Sequence, residues 1–303
     1  TSSAQRRNSG MPGSSASPIR PSIAAVSAAA RSAAVRLGLA TSAVTGLSAV
    51  TVASTPDIAV GDALGSIVFN LALLALAEML SRRGGLYGAA GRTHVLTAAV
   101  GVLMIGIVLL ALSVARSASG WAWGHASVFS VALIAVYGLA MRALYIFEMR
   151  SGAPSPTASA GMPLRQALGG YALAAMFIVV AGIWLPLVGV RLARIMLWSD
   201  SFVGTLLIAF ATSMPELVTT LAALRIGAVD LALGNILGSN LFDLLIIALD
   251  DLAHLGGPIF RDVDAAHAAT GLIAAIMNCV VIVALLRPPR SRLIGTLSWA
   301  GLS

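Results

Sequence analysis

The sequence predicts an all-α, polytopic helical membrane protein built as two inverted repeats of up to five helices each. Three observations carry that expectation: apolar residues gathered into spans, arginines gathered on one side of them, and a segment that occurs twice. Of 303 residues, 58% are hydrophobic and only 10% charged, against about 25% charged in an ordinary soluble domain. Mean hydropathy is +0.93. The apolar blocks run to roughly 20 residues, the length that crosses ~30 Å of hydrocarbon.

A net charge of +7 could suggest nucleic acid, but the arginine distribution excludes it. The 19 basic residues are all arginines, standing singly or in pairs between apolar blocks, as membrane-flanking charges do. The lone Cys279 allows no disulfide within the chain. No nucleophile–base pair, phosphate loop or cysteine cluster is present, so the expectation is a non-enzyme without a prosthetic group.

Taken in order, residues 1–21 are rich in Ser, Pro and Arg and are expected to be disordered. The Ala, Arg and Ser composition resembles either an organellar transit segment or high-GC bacterial coding. The second is favoured, which places the chain in a bacterial inner (plasma) membrane. The N-terminal membrane half covers 22–150. One span fits at about 35–53, and clear spans follow at 58–80, 94–115 and 121–141. A Pro/Ser/Ala/Gly-rich linker at 151–166 leads to the C-terminal half, 167–303, with spans at 167–190, 202–224, 231–250 and 266–286. Seven spans are clear and eight to ten are intended. The piece from Leu293 to Ser303 is too short to cross and reads as a truncated last helix.

Arginines set the orientation. Arg82, Arg83 and Arg92, then Arg142, Arg150 and Arg165, then Arg287, Arg290 and Arg292 fall on one side by alternation, which the positive-inside rule makes cytoplasmic. The segment Asp250–Asp264, with four aspartates and one arginine, then faces outward. Arg191 and Arg194 fall on the opposite side from the rest.

The segment Asp57–Asn70, DIAVGDALGSIVFN, reappears at Asp230–Asp243 as DLALGNILGSNLFD. Seven of the 14 positions are identical at a constant offset of 173. By the arginine placement the two copies cross the membrane in opposite directions. Inverted repeats with helices interrupted near the midplane are the pattern of secondary transporters, whose binding site lies at the repeat interface.

The chemistry gathers between Gly204 and Asp243. Pro215 lacks a backbone donor and breaks a helix, and beside it Glu216 sits in an apolar span, where a carboxylate costs roughly 2.5–3.5 kcal/mol or more. A break there frees carbonyls near Ala211 and Thr212 to face a cation, with hydroxyls from Thr212 and Ser213. On the following helix Asn235, Ser239 and Asp243 are spaced i, i+4, i+8 and share a face. Calcium takes six to eight hard oxygen ligands of this kind. Gly234 and Gly238 have the small-xxx-small spacing that permits close helix packing.

Ala-Thr-Ser-Met-Pro-Glu at 211–216 with Gly-Asn-Ile-Leu-Gly-Ser-Asn at 234–240 resembles the second α-repeat of the sodium/calcium exchanger family, within the cation/calcium antiporters. The resemblance covers roughly residues 40–303. It implies ten helices in two inverted halves and exchange of Ca2+ for Na+ by alternating access around ions at the midplane. It further implies that Glu216, Ser239 and Asp243 ligate the metal ion and that Thr212 and Ser213 supply sodium ligands. Asn240 is read as a packing or carbonyl-capping group beside the ions. From the first copy, Ser66, Asn70 and Asp62 join the cation-binding set. Calcium, sodium and the lipid bilayer are thus the implied partners.

The first copy departs from this pattern. Where a second Pro-Glu belongs stands Ala-Thr-Ser-Ala-Val-Thr-Gly at 40–46, with neither residue, and Ser42–Asp57 is two residues shorter than Ser213–Asp230. Asp62, one turn before Ser66, could supply the missing charge. Alternatively the chain is a degenerate or truncated relative that no longer transports. A third account is that the residues before about Thr55 come from an out-of-frame or misassembled reading, which the abrupt onset of the match favours. Exchange of calcium for protons is a weaker alternative.

Other polar residues receive structural readings. Asp57 and Asp230 are expected to cap helix N-termini. Glu78 and Asp251 are read as interfacial charges, and His94, His125, His254 and His267 as isolated surface groups without metal-ligand spacing.

Overall fold

The computed structural model describes residues 39–80, 85–91, 93–115, 122–150 and 164–287. The expected disordered segment 1–21, linker residues 151–163 and the piece Leu293–Ser303 lie outside them. Helices α1 (Leu39–Thr51), α2 (Pro56–Leu80), α3 (Thr93–Val114) and α4 (Val128–Arg150) form the first half. Helices α5 (Leu164–Met196), α6 (Asp200–Thr212), α7 (Met214–Arg225), α8 (Val229–Ala253) and α9 (Ala266–Leu286) form the second. A short antiparallel pair, β1 (Ala122–Trp123) and β2 (Ala126–Ser127), precedes α4.

Among the described residues six helices are long and apolar enough to cross a membrane. The pair α6 and α7, bent by 43°, makes a seventh as one broken span. The chain is therefore a multi-pass integral membrane protein, with the seven clear spans expected. Helix α5 starts at Leu164, inside the expected linker, and residues 35–38 of the span expected at 35–53 lie outside the described residues.

Burial ranks the helices. Of the most apolar stretch, 83% is buried in α2 and 72% in α8, against 17% in α4 and 22% in α5. The two repeated helices are thus the centre, and α4 and α5 present apolar surface suited to lipid. Helix α6 reaches this centre because glycines clear its path. A Cβ at Gly65 would overlap the Thr205 carbonyl oxygen, and one at Gly204 would stand 2.8 Å from Ile58 Cα. Backbone therefore lies on backbone where α2 meets α6. Residues Val203–Ile208 there are π-helical, a local widening common at functional sites.

The repeat extends well beyond the 14 residues legible as sequence. Asp57 Oδ1 accepts from the Asp264 N–H at 2.7 Å and pairs with His267 Nε2 at 3.0 Å. At the same offset of 173, Asp230 Oδ1 accepts from the Gly91 N–H at 2.8 Å and pairs with His94 Nε2 at 3.0 Å. Glu78 accepts from the Leu86 N–H, and its counterpart Asp251 accepts from the Ile259 N–H at 2.7 Å. Each half thus fastens the start of the other half's central helix. Asp57 lies beside the start of α9 and Asp230 beside the start of α3, as opposite crossings require.

Several expectations are corrected here. His94 and His267 are not surface groups: they are 8% and 1% exposed, drawn inside by the aspartates they pair with. Glu78 and Asp251 are buried, not interfacial. Asp251 also accepts from Ser127 N–H at 2.7 Å and Ser130 Oγ at 2.6 Å, so it ties α8 to the hairpin and α4. Asp250 belongs to α8 and not to an outward loop, and is fully buried. His125 is exposed as expected, and its Nε2–H donates to the Leu252 carbonyl at 3.0 Å. Close packing falls to Gly61 and Gly65 rather than to Gly234 and Gly238: nothing among the described residues lies within 4 Å of a Cβ placed at Gly238.

Candidate cation site

Pro215 sits in the first turn of α7, where it has no N–H to return to the carbonyl four residues back. Helix α6 therefore ends at Thr212, and Ser213 takes φ −85° and ψ 0°, the sparsely populated bridge region common at active sites. The Ser213 N–H closes on the Ala209 and Ala211 carbonyls, so the Ala211 oxygen is not left as open as the sequence suggests. The break aims Thr212 at α2 and Glu216 at α8, both into the core.

All nine residues of the candidate cation-binding set are buried. Thr212 and Asn70 are 0% exposed, Asp243 1%, Asp62, Ser66, Ser213 and Asn240 2%, Glu216 3% and Ser239 5%. Seven of them fall into three hydrogen-bonded groups. In the first, Thr212 Oγ donates to Asp62 Oδ1 at 2.6 Å, and Ser66 Oγ lies 3.3 Å from Thr212 Oγ and 3.5 Å from Asp62 Oδ1. In the second, Ser239 Oγ donates to Glu216 Oε1 at 3.3 Å. Asn235 supports that corner by donating to the Glu216 carbonyl, Thr219 Oγ and Thr220 Oγ. Across the interface, Asn70 Nδ2 donates to Asn240 Oδ1 at 3.0 Å, which joins α2 to α8.

What the protein leaves unsatisfied is as informative. Asp243 Oδ1 and Oδ2, Glu216 Oε2 and Asn70 Oδ1 are buried with no hydrogen-bond partner. Asp243 feels the charges of both Glu216 and Asp62, and the ion pairs seen are histidine pairs at helix ends, away from these acids. A buried carboxylate without a partner costs several kcal/mol, so the arrangement calls for a bound cation or a proton. The donors are carboxylate, hydroxyl and amide oxygens, the hard set suited to calcium or sodium. Among the described residues no three His, Cys, Asp or Glu side chains converge closely enough to hold one metal ion. A complete shell must therefore draw on hydroxyls and carbonyls beside the acids.

Residues 166–300 match the family model described as sodium/calcium exchanger protein. This half of the chain is therefore similar to the sodium/calcium exchanger family. Among curated proteins the chain is 29% identical over 198 residues to the inner membrane protein YrbG of Escherichia coli, covering 63% of this chain and 58% of YrbG. A 48-residue stretch is 48% identical to the sodium/calcium exchanger MaX1 of Methanosarcina acetivorans, covering 16% of this chain and 14% of MaX1. The chain thus spans less than two thirds of the length of these relatives. Among solved structures, the sodium-calcium exchanger NCX_Mj shares the fold with TM-score 0.54 at 20% identity, over 89% of this chain and 83% of that one. The H+/Ca2+ exchanger CAX does so with TM-score 0.57 at 15% identity, over 92% and 81%.

Asp250 is the buried acid that sequence reasoning missed. Its signal was position: it follows Asp243 by seven residues, two helical turns along the same face. Beside Asp251, at the end of a span, it read as the start of an acidic loop.

Proposed function

We propose that this chain is a secondary active cation antiporter that exchanges Ca2+ for Na+ at a midplane site between the two repeats. The observation that carries the reading is Asp243: a fully buried carboxylate on α8 with both oxygens unpartnered, close enough to feel the charge of Glu216 on α7. Such a group is stable in a membrane interior only when a bound metal cation or a proton neutralises it. Calcium and sodium compete for the same acids, so one leaves as the other arrives. An empty site carries too much unpaired charge to be carried across, which couples the two fluxes. The backbone contact of α6 on Gly61 and Gly65 gives that element a smooth surface along which to shift, exposing the site alternately. The family match of residues 166–300 supports the ion class, and the name of YrbG supports an inner membrane location.

The test is sodium-gradient-driven uptake of radiolabelled calcium into liposomes holding the purified chain. Uptake that collapses without the gradient and in Glu216→Gln is expected. Uptake driven by a pH gradient in place of sodium would reassign the coupling ion to the proton. No uptake by folded protein under either gradient would leave the family likeness as ancestry alone.

A further inference from the structure

The first repeat lacks the acid that the second carries in Glu216. Matching Ser42 to Ser213 places Thr45 at the position of Glu216 and Gly46 directly after it. Thr45 is 0% exposed, and its Oγ has no hydrogen-bond partner, so the position faces the interior with a polar atom unsatisfied. A methyl group added at Gly46 would stand 2.5 Å from Asp250 Oδ2 and 3.0 Å from Asp250 Oδ1. The Asp250 carboxylate therefore rests on the α1 backbone one residue from the missing acid, and the lack of a side chain at 46 makes the room.

Asp250 has no structural employment. It is 0% exposed, and neither oxygen has a hydrogen-bond partner. Its neighbour Asp251, by contrast, holds three donors. The repeat explains Asp251, whose counterpart is Glu78, but not Asp250, whose counterpart at the same offset is Ala77. A buried acid whose repeat counterpart is an alanine thus lies against the helix whose acid is missing. It also feels the charge of Asp62, the carboxylate already joined to Thr212.

We propose that Asp250 supplies from α8 the cation-binding carboxylate that α1 lacks at Thr45, with Thr45 Oγ as a neutral ligand beside it. This rests on the antiporter reading and deepens it. The site keeps an acid from each side, but the second side's acid is delivered by the partner repeat's central helix. Asp250 lies roughly 10 Å along α8 from Asp243, towards the end that also holds Asp57. The added acid therefore extends the site towards the outer face.

The experiment uses the full chain in detergent and in liposomes, with calcium and sodium as the probes. The calcium concentration that half-maximally raises the unfolding midpoint is measured for wild type, Asp250→Asn, and the double variant Thr45→Glu with Asp250→Ala. Asp250→Asn is expected to raise that concentration at least about tenfold, because loss of one charged ligand acts directly on affinity. The double variant is expected to recover most of the loss, since glutamate at 45 fills the space that Asp250 vacates. An unchanged calcium response in Asp250→Asn, with sodium-driven uptake intact, would overturn the inference and leave the antiporter reading standing. A wild type whose midpoint responds to neither ion would overturn both. Should Asp250→Asn not fold, the double variant decides alone: a wild-type-like response supports the transfer of the acid, and none overturns it.

Discussion

Asp243 and Glu216 differ in what holds them. Glu216 has Ser239 on one oxygen, whereas Asp243 has no partner on either. Asp243→Asn should therefore leave the ion-free unfolding midpoint unchanged or higher, because it removes a buried charge that nothing compensates. It should also abolish the rise on adding calcium, which for a ligand at a hundred times its Kd is worth about 2.7 kcal/mol in the wild type. Thermal unfolding of both proteins with and without calcium checks this, and a retained rise in the variant would remove Asp243 from the site. These acids were legible in the sequence because a carboxylate inside an apolar span has few structural excuses. The histidines were not. His94 and His267 each find their aspartate 136 and 210 residues away, a distance at which no spacing rule operates. Asp250 was hidden for the opposite reason, masked by an acidic neighbour whose role is purely structural.

The central helices α2 and α8 align at a constant offset without a gap, yet their glycines meet different surroundings. A Cβ at Gly65 would collide with Thr205 and Ala209, while at Gly238 it meets nothing within 4 Å. Gly65→Ala should destabilise the protein by about 1–3 kcal/mol, the usual cost of forcing a methyl group into a packed contact. Gly238→Ala should be neutral or stabilise by up to about 1 kcal/mol through helix propensity. Unfolding midpoints of the two variants check the pair, and equal losses would contradict the asymmetry. In the first half, the residues that would match the start of α6 fall at about 29–38, outside those described. The core of the repeat was legible as a 14-residue match because ligand and packing positions tolerate few replacements. Its continuation through Glu78, Leu86, Gly91 and His94 was not. Those positions keep only a hydrogen-bonding geometry, and a backbone N–H can be offered by Gly91 in one half and Asp264 in the other.

At the scale of the molecule, the paired helix starts place Asp57 with α9 at one face and Asp230 with α3 at the other. A cysteine replacing Leu255, 81% exposed, should react with an impermeant maleimide from outside intact cells; one replacing Ile226, 58% exposed, should react only after permeabilisation. Both belong in a Cys279→Ser background, since Cys279 is itself exposed, and labelling of both from one side would refute the inverted crossing. The same pairing has a consequence in time. Asp57 and Asp264 lie 207 residues apart, so at about 5–20 residues per second a ribosome takes roughly 10–40 s to make the second after the first. Throughout that interval the first repeat's central helix is in the membrane with its opening turn unfastened. An aspartate at the water boundary can wait in that condition, because solvent serves it until the late partner arrives. The order of synthesis thus favours a clasp at the surface, where an early residue can stay hydrated while the chain that closes on it is still being made.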